Sequence, residues 1–403
     1  MLLLHTSDWH LGRTFHGVDI LDVQVRAMAE IVDWVREHRV DVVLVSGDVY
    51  DRAQPRTEVV ELLNTTLGQI RAAGAQVVLT SGNHDSPARL GFGAQIMSHG
   101  GVHLLTTLRN AAQPVVFSRT RGSDPVVSTT APPTHGASGG APETVAVYGI
   151  PYLEPRAVAQ ELDCAATHQE VLGAVMRRID ADRCQRGEVT SVVMAHAFVT
   201  GAQATESERI VDAGGLGTVS ADVFAAHDYT ALGHVHRRQR LTETVRYSGS
   251  PVAYSFSEAG QRKGAWLVEL DGEGVQQITP LEHGVGLDLA RLRGRLEELL
   301  EDPALEPAQT AWCQVVLTDA ERPASAMERV RSRFPHTVEL RWEPEGGRPL
   351  AARDYAARVA EVTRPEELCG RFFEHVRGRS LSTEEMSDVA DAVAAVQERG
   401  AGA

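Results

Sequence analysis

Two nearly continuous apolar runs near the start of the chain limit the folds that it can adopt. "VDVVLVS" at 40–46 and "AQVVLTS" at 75–81 are rich in β-branched residues and contain few polar side chains. Strands of this composition are typically buried on both faces, as in parallel sheets covered by helices. The segments 20–38 and 55–73 carry apolar residues at helical spacing. The alternation predicts an α/β core with helices flanking the sheets.

The same reading continues along the chain. It predicts strands at 145–151, 191–198, 229–236, 245–251 and 264–270, with helical spacing through 156–185. Beyond residue 270 the pattern changes to a helix, a strand, a helix and a strand, at 288–301, 311–318, 324–334 and 337–342. We therefore expect a first domain at 1–270, a small α+β domain at 271–360 and a helical pair within 361–403. The stretch 119–144 is rich in Pro, Gly, Ser and Thr, which predicts a flexible loop inside the first domain.

Composition narrows the classes of protein. The formal net charge of −15 argues against nucleic-acid binding through bulk positive charge. A nuclease would need a local basic groove, bound metal ions or a partner chain to supply positive potential. No apolar run reaches the roughly 20 residues that span a bilayer, and the first residues do not resemble a signal peptide. The four cysteines form no Cys-x-x-Cys pair and indicate reduced thiols in a cytoplasmic protein.

Acidic and imidazole side chains lie at or just after the carboxyl ends of five predicted strands. They lie in "SDWH" at 7–10, "SGDVYD" at 46–51, "SGNHD" at 81–85, "MAHA" at 194–197 and "GHVH" at 233–236. In an open α/β fold, sites gather beyond the carboxyl ends of the strands, so these motifs are expected to converge. Each residue alone has an ordinary structural explanation. Asp48 could be a helix N-cap, and His196 could be a half-buried histidine that is satisfied by hydrogen bonds.

Taken together, the motifs favour a metal centre. Carboxylate, amide and imidazole ligands suit Mn²⁺, Fe²⁺ or Zn²⁺. An aspartate shared between two ions could hold them about 3.5–4 Å apart, as in-line displacement at phosphorus requires. The glycines before Asp48, Asn83 and His234 are expected to let the backbone turn sharply.

The ordered set D-x-H, G-D-x-x-D, G-N-H-D, H and G-H-x-H resembles the calcineurin-like metallophosphoesterases. The resemblance implies two sheets packed face to face with helices outside. It implies that one ion is held by Asp8, His10, Asp48 and His236, and the other by Asp48, Asn83, His196 and His234. It places His84 beside the substrate, with Asp51 orienting it. Asp85, which follows His84 in the chain, is expected to support the ligands from behind.

More local stretches are similar to the SbcD family of bacterial nucleases. These are "HTSDWHLG" at 5–12, "GHVHRRQ" at 233–239 and "RYSGSPVAYSF" at 246–256. The similarity runs from residue 1 to about 270 and continues more weakly through the α+β domain, which it implies is a DNA-binding capping domain. It implies metal-assisted hydrolysis of DNA phosphodiesters at double-strand ends or hairpins, with exonuclease activity first and endonuclease activity second. His84 would stabilise or protonate the departing oxygen.

The same resemblance implies cofactors and partners. The cofactors would be two divalent ions, Mn²⁺ foremost, and the partner an SbcC-type ATPase, with a homodimer of this chain within a heterotetramer. The protein would act in DNA repair, recombination and replication, in the cytoplasm at the nucleoid.

Two amphipathic segments close the chain, "RPEELCGRFFEHVRG" at 364–378 and "SLSTEEMSDVADAVAAVQ" at 380–397. Ser382 and Glu385 are spaced as a capping box. The apolar stripes include Leu368, Phe372, Val389 and Val393. Such stripes must be covered. Either their own domain covers them or, as the resemblance implies, they dock on the coiled coil of the ATPase.

Two other functions stay open at this point. A stand-alone metallophosphatase or cyclic-nucleotide phosphodiesterase would use the same motifs, but a small substrate needs neither a capping domain nor docking helices. A noncatalytic DNA-bridging scaffold would be expected to lack a ligand, and no member of the motif set is missing.

Overall fold

The structure of the protein is a computed structural model. It describes residues 1–119, 126–128, 143–187, 189–208, 217–345, 364–377 and 379–401. The chain divides into two compact units, Met1–Leu287 and Asp288–Ala403, which are described separately.

The first unit alternates strands and helices. Its strands are β1 (Leu2–Thr6), β2 (Thr14–Phe15), β3 (Val18–Asp19), β4 (Val42–Ser46), β5 (Gln76–Thr80), β6 (Val102–Leu105), β7 (Val115–Arg119), β8 (Val126–Ser128), β9 (Glu143–Ile150), β10 (Thr190–His196), β11 (Phe198–Val199), β12 (Thr218–Val219), β13 (Tyr229–Gly233), β14 (Gln239–Arg240), β15 (Val245–Tyr247), β16 (Gly264–Asp271) and β17 (Gly274–Glu282). Its α-helices are α1 (Leu21–His38), α2 (Thr57–Ala72), α3 (Pro87–Leu90), α4 (Ala94–His99), α5 (Pro155–Leu162) and α6 (His168–Arg186).

Two sheets carry the first unit. One has the strand order β17-β16-β1-β4-β5-β6 and the other β14-β15-β13-β10-β9-β7-β8. Apolar side chains of both sheets meet in one buried cluster, including Leu3, Val42, Leu44, Phe117, Val147, Val192 and Met194. A second buried cluster lies between the seven-stranded sheet, which contains β10, and the helices α5 and α6. The predicted sandwich of two sheets flanked by helices is confirmed.

The parallel strands decide where a site can form. β1, β4, β5 and β6 run parallel in one sheet, and β9, β10, β13 and β15 do so in the other. The five polar motifs lie at or directly after the ends of β1, β4, β5, β10 and β13. Each motif therefore lies at the carboxyl end of a parallel strand.

Three features of the first unit differ from the prediction. The helix expected over 156–185 is two helices, α5 and α6. Most of the loop expected at 119–144 lies outside the described residues, but 126–128 form β8, which pairs with β7. The first unit also ends after Leu287 rather than at residue 270. The stretch "DGEG" at 271–274 is the turn of a hairpin, because β17 pairs antiparallel with β16 along its length.

The second unit contains a small three-stranded parallel sheet. Its elements are β18 (Leu289–Gly294), α7 (Leu296–Glu301), β19 (Trp312–Leu317), α8 (Ala326–Arg333) and β20 (Thr337–Trp342). The prediction of one helix over 288–301 was wrong, since the first half of that segment is β18. Leu292 pairs with Val315 of β19 and is buried in the core around Phe334. Pairing of these strands therefore outweighed a spacing that also suits a helix.

Two further helices follow, α9 (Pro365–Arg377) and α10 (Thr383–Ala401). They approach closely, because a Cβ atom at Gly370 would lie 2.9 Å from Cε of Met386. The predicted capping box is confirmed: Glu385 N–H donates to Oγ of Ser382 at 3.2 Å, and Ser382 N–H donates to Oε2 of Glu385 at 2.8 Å. Among the described residues, no helix has the length and hydropathy needed to cross a membrane.

The extended first unit leads to a test. A fragment of residues 1–287 should melt at a higher temperature than one of residues 1–270, because β17 covers the edge of β16 and packs Val275 and Ile278 against the core between the sheets. Full burial of such a side chain is worth about 1.5–3 kcal/mol, and an uncovered edge strand promotes aggregation. Thermal melting by circular dichroism compares the two fragments, with Ile278→Ala in the longer one as an intermediate case. Equal midpoints would assign β17 to the following unit.

Candidate metal centre

The loops after the five parallel strands bring their polar side chains together. Three buried groups have one ligand atom of each member within 4.8 Å of the others: Asp8, His10 and His236; His10, Asp48 and His84; and Asp48, His196 and His234. Asn83, the remaining predicted ligand, lies beside the third group. All seven side chains that the motifs single out as ligands therefore gather at one place.

Asp48 lies between the two halves of this cluster. Its Oδ2 atom is 3.5 Å from Nε2 of His10 and 3.4 Å from Nε2 of His196. Its Oδ1 atom accepts a hydrogen bond from the backbone N–H of His84 at 2.8 Å, which fixes the plane of the carboxylate. A carboxylate in this position can contact an ion on either side.

The half beside His10 contains Asp8 and His236. Nε2 of His10 and Nε2 of His236 are only 3.0 Å apart. The two carboxylate oxygens of Asp8 accept from the backbone N–H of His234 at 2.9 and 3.1 Å.

The half beside His196 is built around an amide. Oδ1 of Asn83 is 3.1 Å from Nε2 of His196 and 3.1 Å from Nδ1 of His234. Nδ1 of His196 faces the backbone carbonyl of Ser46 at 3.0 Å, and since a carbonyl only accepts, Nδ1 carries the proton. When the ring is neutral, Nε2 of His196 therefore has the lone pair with which it could bind an ion beside Asp48 and Asn83.

The backbone is strained at the site. Asp8, His10, Asp48 and His234 have φ angles of 53°, 41°, 47° and 101°. Non-glycine residues rarely adopt this left-handed region, and each costs of order 1–3 kcal/mol. Strain concentrated at four residues of one cluster indicates that their side-chain positions serve function rather than folding.

The glycines before the ligands act in two ways, which corrects the expectation that all three relieve a sharp turn. Gly47 does have a positive φ, of 80°. Gly82 and Gly233 do not, and they are needed because other atoms come close. A Cβ at Gly82 would lie 2.1 Å from Oδ1 of Asp48, and one at Gly233 would lie 1.8 Å from the carbonyl oxygen of Ser46.

The electrostatics of the cluster suit divalent cations. Asp8 and Asp48 are buried carboxylates, and among the described residues Asp48 forms ion pairs with histidines alone. Buried carboxylates require a compensating charge. Nδ1 of His10 is also buried without a hydrogen-bond partner in the described part of the chain. Carboxylate, amide and imidazole donors are the ligands of Mn²⁺, Fe²⁺ and Zn²⁺, so the residues fit the ions that the motifs predict.

The pKa values follow from burial and from Asp48. Burial lowers the pKa of His234 to about 3 and that of His10 well below its usual range, so both rings are neutral and can act as ligands. Burial also disfavours a charged His196, but the attraction of Asp48 outweighs it and raises the pKa of His196 to about 9. A divalent ion between Asp48 and His196 would take the place of that proton, because a ligating imidazole must be neutral.

His84 lies beside the cluster, with Nε2 4.0 Å from Oδ2 of Asp48. Its Nδ1 atom faces the backbone carbonyl of Asp51 at 2.8 Å, whereas the Asp51 carboxylate is 4.0 Å away. The contact that orients His84 is thus the backbone carbonyl of Asp51, and the Asp51 carboxylate lies farther away. Asp85 accepts N–H groups of Val49, Tyr50 and Gly82 at 2.9–3.1 Å, which ties the loop of Asp48 to that of Asn83.

A second set of buried residues lies behind His236, and the motif analysis did not find it. Ser207, Glu208, Glu258 and Lys263 surround this histidine. Glu258 lies just beyond "RYSGSPVAYSF", so a longer reading of that stretch would have included it. Ser207 and Glu208 belong to no recognised motif, and only the folded structure brings them to the site.

The chain is similar to known proteins along most of its length. Residues 1–238 match the family profile described as calcineurin-like phosphoesterase, and residues 285–377 match the one described as type 5 capsule protein repressor C-terminal domain. A curated relative, the SbcD subunit of the SbcCD nuclease of Bacillus subtilis (strain 168), is 28% identical over 401 residues, which cover 96% of each chain.

Solved structures similar to the chain include TT1561 of Thermus thermophilus, at 12% identity and a TM-score of 0.38, covering 70% of this chain and 98% of that one. A dimetal phosphatase from Danio rerio has 12% identity and a TM-score of 0.39, covering 70% of this chain and 99% of that one. The first profile spans more than half of the chain. The chain thus belongs to the calcineurin-like phosphoesterases and, by its two matched regions and its full-length relative, to the SbcD family.

Proposed function

We propose that the protein is a metal-dependent DNA nuclease that hydrolyses phosphodiester bonds with two divalent ions, Mn²⁺ foremost. The observation that carries the proposal is the position of Asp48, whose Oδ2 atom lies about midway between His10 and His196 at 3.5 and 3.4 Å. One shared carboxylate with nitrogen ligands on both sides is the arrangement expected of a two-ion site. The relative from Bacillus subtilis, named a nuclease, supports the choice of substrate.

The protein's own residues would position the reaction. Asp8, His10, Asp48 and His236 would hold one ion, and Asp48, Asn83, His196 and His234 the other. Divalent ions supply Lewis acidity, which activates water and stabilises charge on the phosphoryl oxygens.

His84 would act on the leaving group. The Asp51 carbonyl can only accept, so Nδ1 of His84 carries a proton and Nε2 can donate only when the ring is an imidazolium. In that form Nε2, which lies near Asp48, would stabilise or protonate the departing oxygen. We place exonuclease activity first and endonuclease activity second, at double-strand ends or hairpins.

We further propose that an SbcC-type ATPase docks on α9 and α10. Leu368 and Phe372 on α9 are 44% and 52% exposed, and Met386 on α10 is also exposed, although the two helices pack together. Val389 and Val393 are half-buried along α10. An apolar surface shared by two adjacent amphipathic helices suits a helix-in-groove contact with a coiled coil.

A homodimer is supported by a separate surface on the first unit. Phe92 and Ile96, next to and within α4, are 85% and 79% exposed. Two large apolar side chains four residues apart form the kind of surface that a second copy would cover. The complete assembly would then be a heterotetramer of two such chains and two ATPase chains.

The shared carboxylate gives the first test of this proposal. Asp48→Ala should lose both ions, because it removes a ligand from each side of the site. Metal content is measured after loading with Mn²⁺ and dialysis. Asp41→Ala is the matched control, since Asp41 precedes the same strand, β4, at its opposite end, and it should keep both ions. Retention of two ions by the Asp48 variant would refute the shared site.

The role of His84 is tested by separating binding from hydrolysis. His84→Gln should keep both ions and bind DNA, while hydrolysis falls by roughly 10²–10⁴-fold, the usual contribution of a general acid. Cleavage of a chromogenic phosphodiester and of duplex DNA measures the loss. His103→Gln, which changes a buried histidine on β6, should leave both rates nearly unchanged. Loss of metal by His84→Gln would make His84 a ligand instead.

The two apolar surfaces can be tested against each other. Phe372→Glu with Val393→Glu should abolish pull-down by the ATPase coiled coil, since a buried apolar side chain is worth about 1.5–3 kcal/mol. Metal content and cleavage of the small phosphodiester should survive. Phe92→Glu with Ile96→Glu should instead leave the pull-down intact and convert the chain to a monomer in size-exclusion chromatography with light scattering.

Each pair is thus the control for the other. Intact ATPase binding by the α9/α10 variant would mean that these helices serve only their own unit. An unchanged oligomeric state of the Phe92 and Ile96 variant would remove that surface from the dimer.

A further inference from the structure

A buried polar network of hydrogen-bonded side chains connects His236 to an ion pair that the proposed reaction does not use. Oγ of Ser207 lies 2.6 Å from Nδ1 of His236 and donates to Oε1 of Glu258 at 2.6 Å. Nζ of Lys263 donates to the other oxygen of Glu258 and to Oγ of Ser250, the latter at 3.1 Å. The side chains of this network are buried. Removing both members of an ion pair from water is costly, so the presence of this pair directly behind a proposed ligand points to a specific role.

The direction of each hydrogen bond in this polar network follows from the number of protons that its members carry. Glu258 faces an ammonium group and is therefore an acceptor on both oxygens. Ser207 has one hydroxyl proton, and at 2.6 Å from Oε1 of Glu258 it must direct that proton to the carboxylate. Its oxygen then accepts from Nδ1 of His236, which must carry the N–H. The opposite nitrogen, Nε2, is left with its lone pair, 3.0 Å from Nε2 of His10.

We propose that Ser207, fixed by the Glu258–Lys263 ion pair, is a positioning residue that sets the tautomer and ring orientation of His236 so that its Nε2 faces the metal ion. This inference rests on the proposed metal site. A ligating histidine generally donates its other N–H to such a partner, and loss of the partner typically costs 10–100-fold in metal affinity.

The backbone around His236 is fixed by the same residues. Its N–H donates to Oε1 of Glu208 at 2.7 Å, and its carbonyl accepts from Nζ of Lys263 at 2.8 Å and from the N–H of Ser250 at 3.1 Å. Lys263 thus contacts both the carboxylate that orients Ser207 and the main chain of the histidine. The ion pair thus fixes both the ring of His236, through Ser207, and its backbone carbonyl. This role accounts for an ion pair buried at this position.

Ser207 is itself held from the other side of the site. Nη2 of Arg13 donates to its backbone carbonyl at 2.7 Å, and the guanidinium lies over the ring of Tyr254 at 5.0 Å from the centroid. That ring contacts both His10 and His236, at 5.4 and 5.7 Å between centroids. The serine therefore has little freedom to turn its oxygen away from the histidine.

The test compares metal binding by two serine variants of the full-length chain. Ser207→Ala should weaken one of the two bound Mn²⁺ ions by 10–100-fold and leave the other unchanged. Titration followed by electron paramagnetic resonance should show a coupled pair of ions in the wild type and single ions in the variant at the same Mn²⁺ concentration. Ser255→Ala is the matched control, because it also removes a hydroxyl from Oε1 of Glu258, at 3.2 Å, but makes no bridge to His236.

A second measurement reads the tautomer without metal. In protein labelled with ¹⁵N-histidine, His236 should show a protonated Nδ1 in the wild type and in Ser255→Ala, and lose that preference in Ser207→Ala. Melting of the metal-free variants checks that they fold. If the wild type binds fewer than two ions, the proposed function fails. If it binds two, and Ser207→Ala binds both as tightly with an unchanged tautomer, the role of Ser207 is refuted and the metal site stands.

Discussion

The site depends on one electrostatic constraint, the burial of the Asp48 carboxylate among imidazoles. No lysine or arginine pairs with Asp48 in the described part of the chain, and its ion-pair partners His10, His84 and His196 are titratable. A buried carboxylate with only such partners must be compensated by protons or by metal. Protons alone would require one or more of these rings to be charged in a desolvated place. Divalent cations satisfy the carboxylate and leave the rings neutral, which is why we interpret the cluster as a metal centre.

The sandwich of two mixed sheets, whose central strands run parallel, makes that burial possible. Asp48 follows β4 in one sheet, and His196 ends β10 in the other. The loops meet because Gly47, Gly82 and Gly233 let backbone and side chains approach more closely than a Cβ would permit. The left-handed backbone at Asp8, His10 and Asp48 costs stability, and the large apolar core between the sheets offsets it. Fold stability is thus used to hold like-charged and polar groups together.

The sequence was sufficient to predict the layers and the side chains that gather at the site, but not the residues that support them. Continuous β-branched runs such as 40–46 and motifs at strand ends are local signals, so they can be read without a structure. The strand β18 was mistaken for a helix because its apolar spacing fits both, and only pairing with β19 decides. Ser207 and Glu258 are separated along the chain and become partners of His236 only after folding. Interactions between distant segments therefore account for what the sequence analysis missed.

The net charge of −15 is the remaining argument against DNA as the substrate, and local charge answers it. The seven proposed ligands include two carboxylates, Asp8 and Asp48, and their imidazoles must be neutral to bind metal, so two divalent ions would give the centre a formal charge of +2 (−2 + 4). At physiological ionic strength, exposed charges act over about 8 Å, so acidic side chains elsewhere on the surface affect a phosphate at the centre only weakly. Buried charges are screened much less. A phosphodiester that reaches the ions would therefore experience the positive centre more than the acidic surface, and the proposed ATPase would need only to bring DNA within that range.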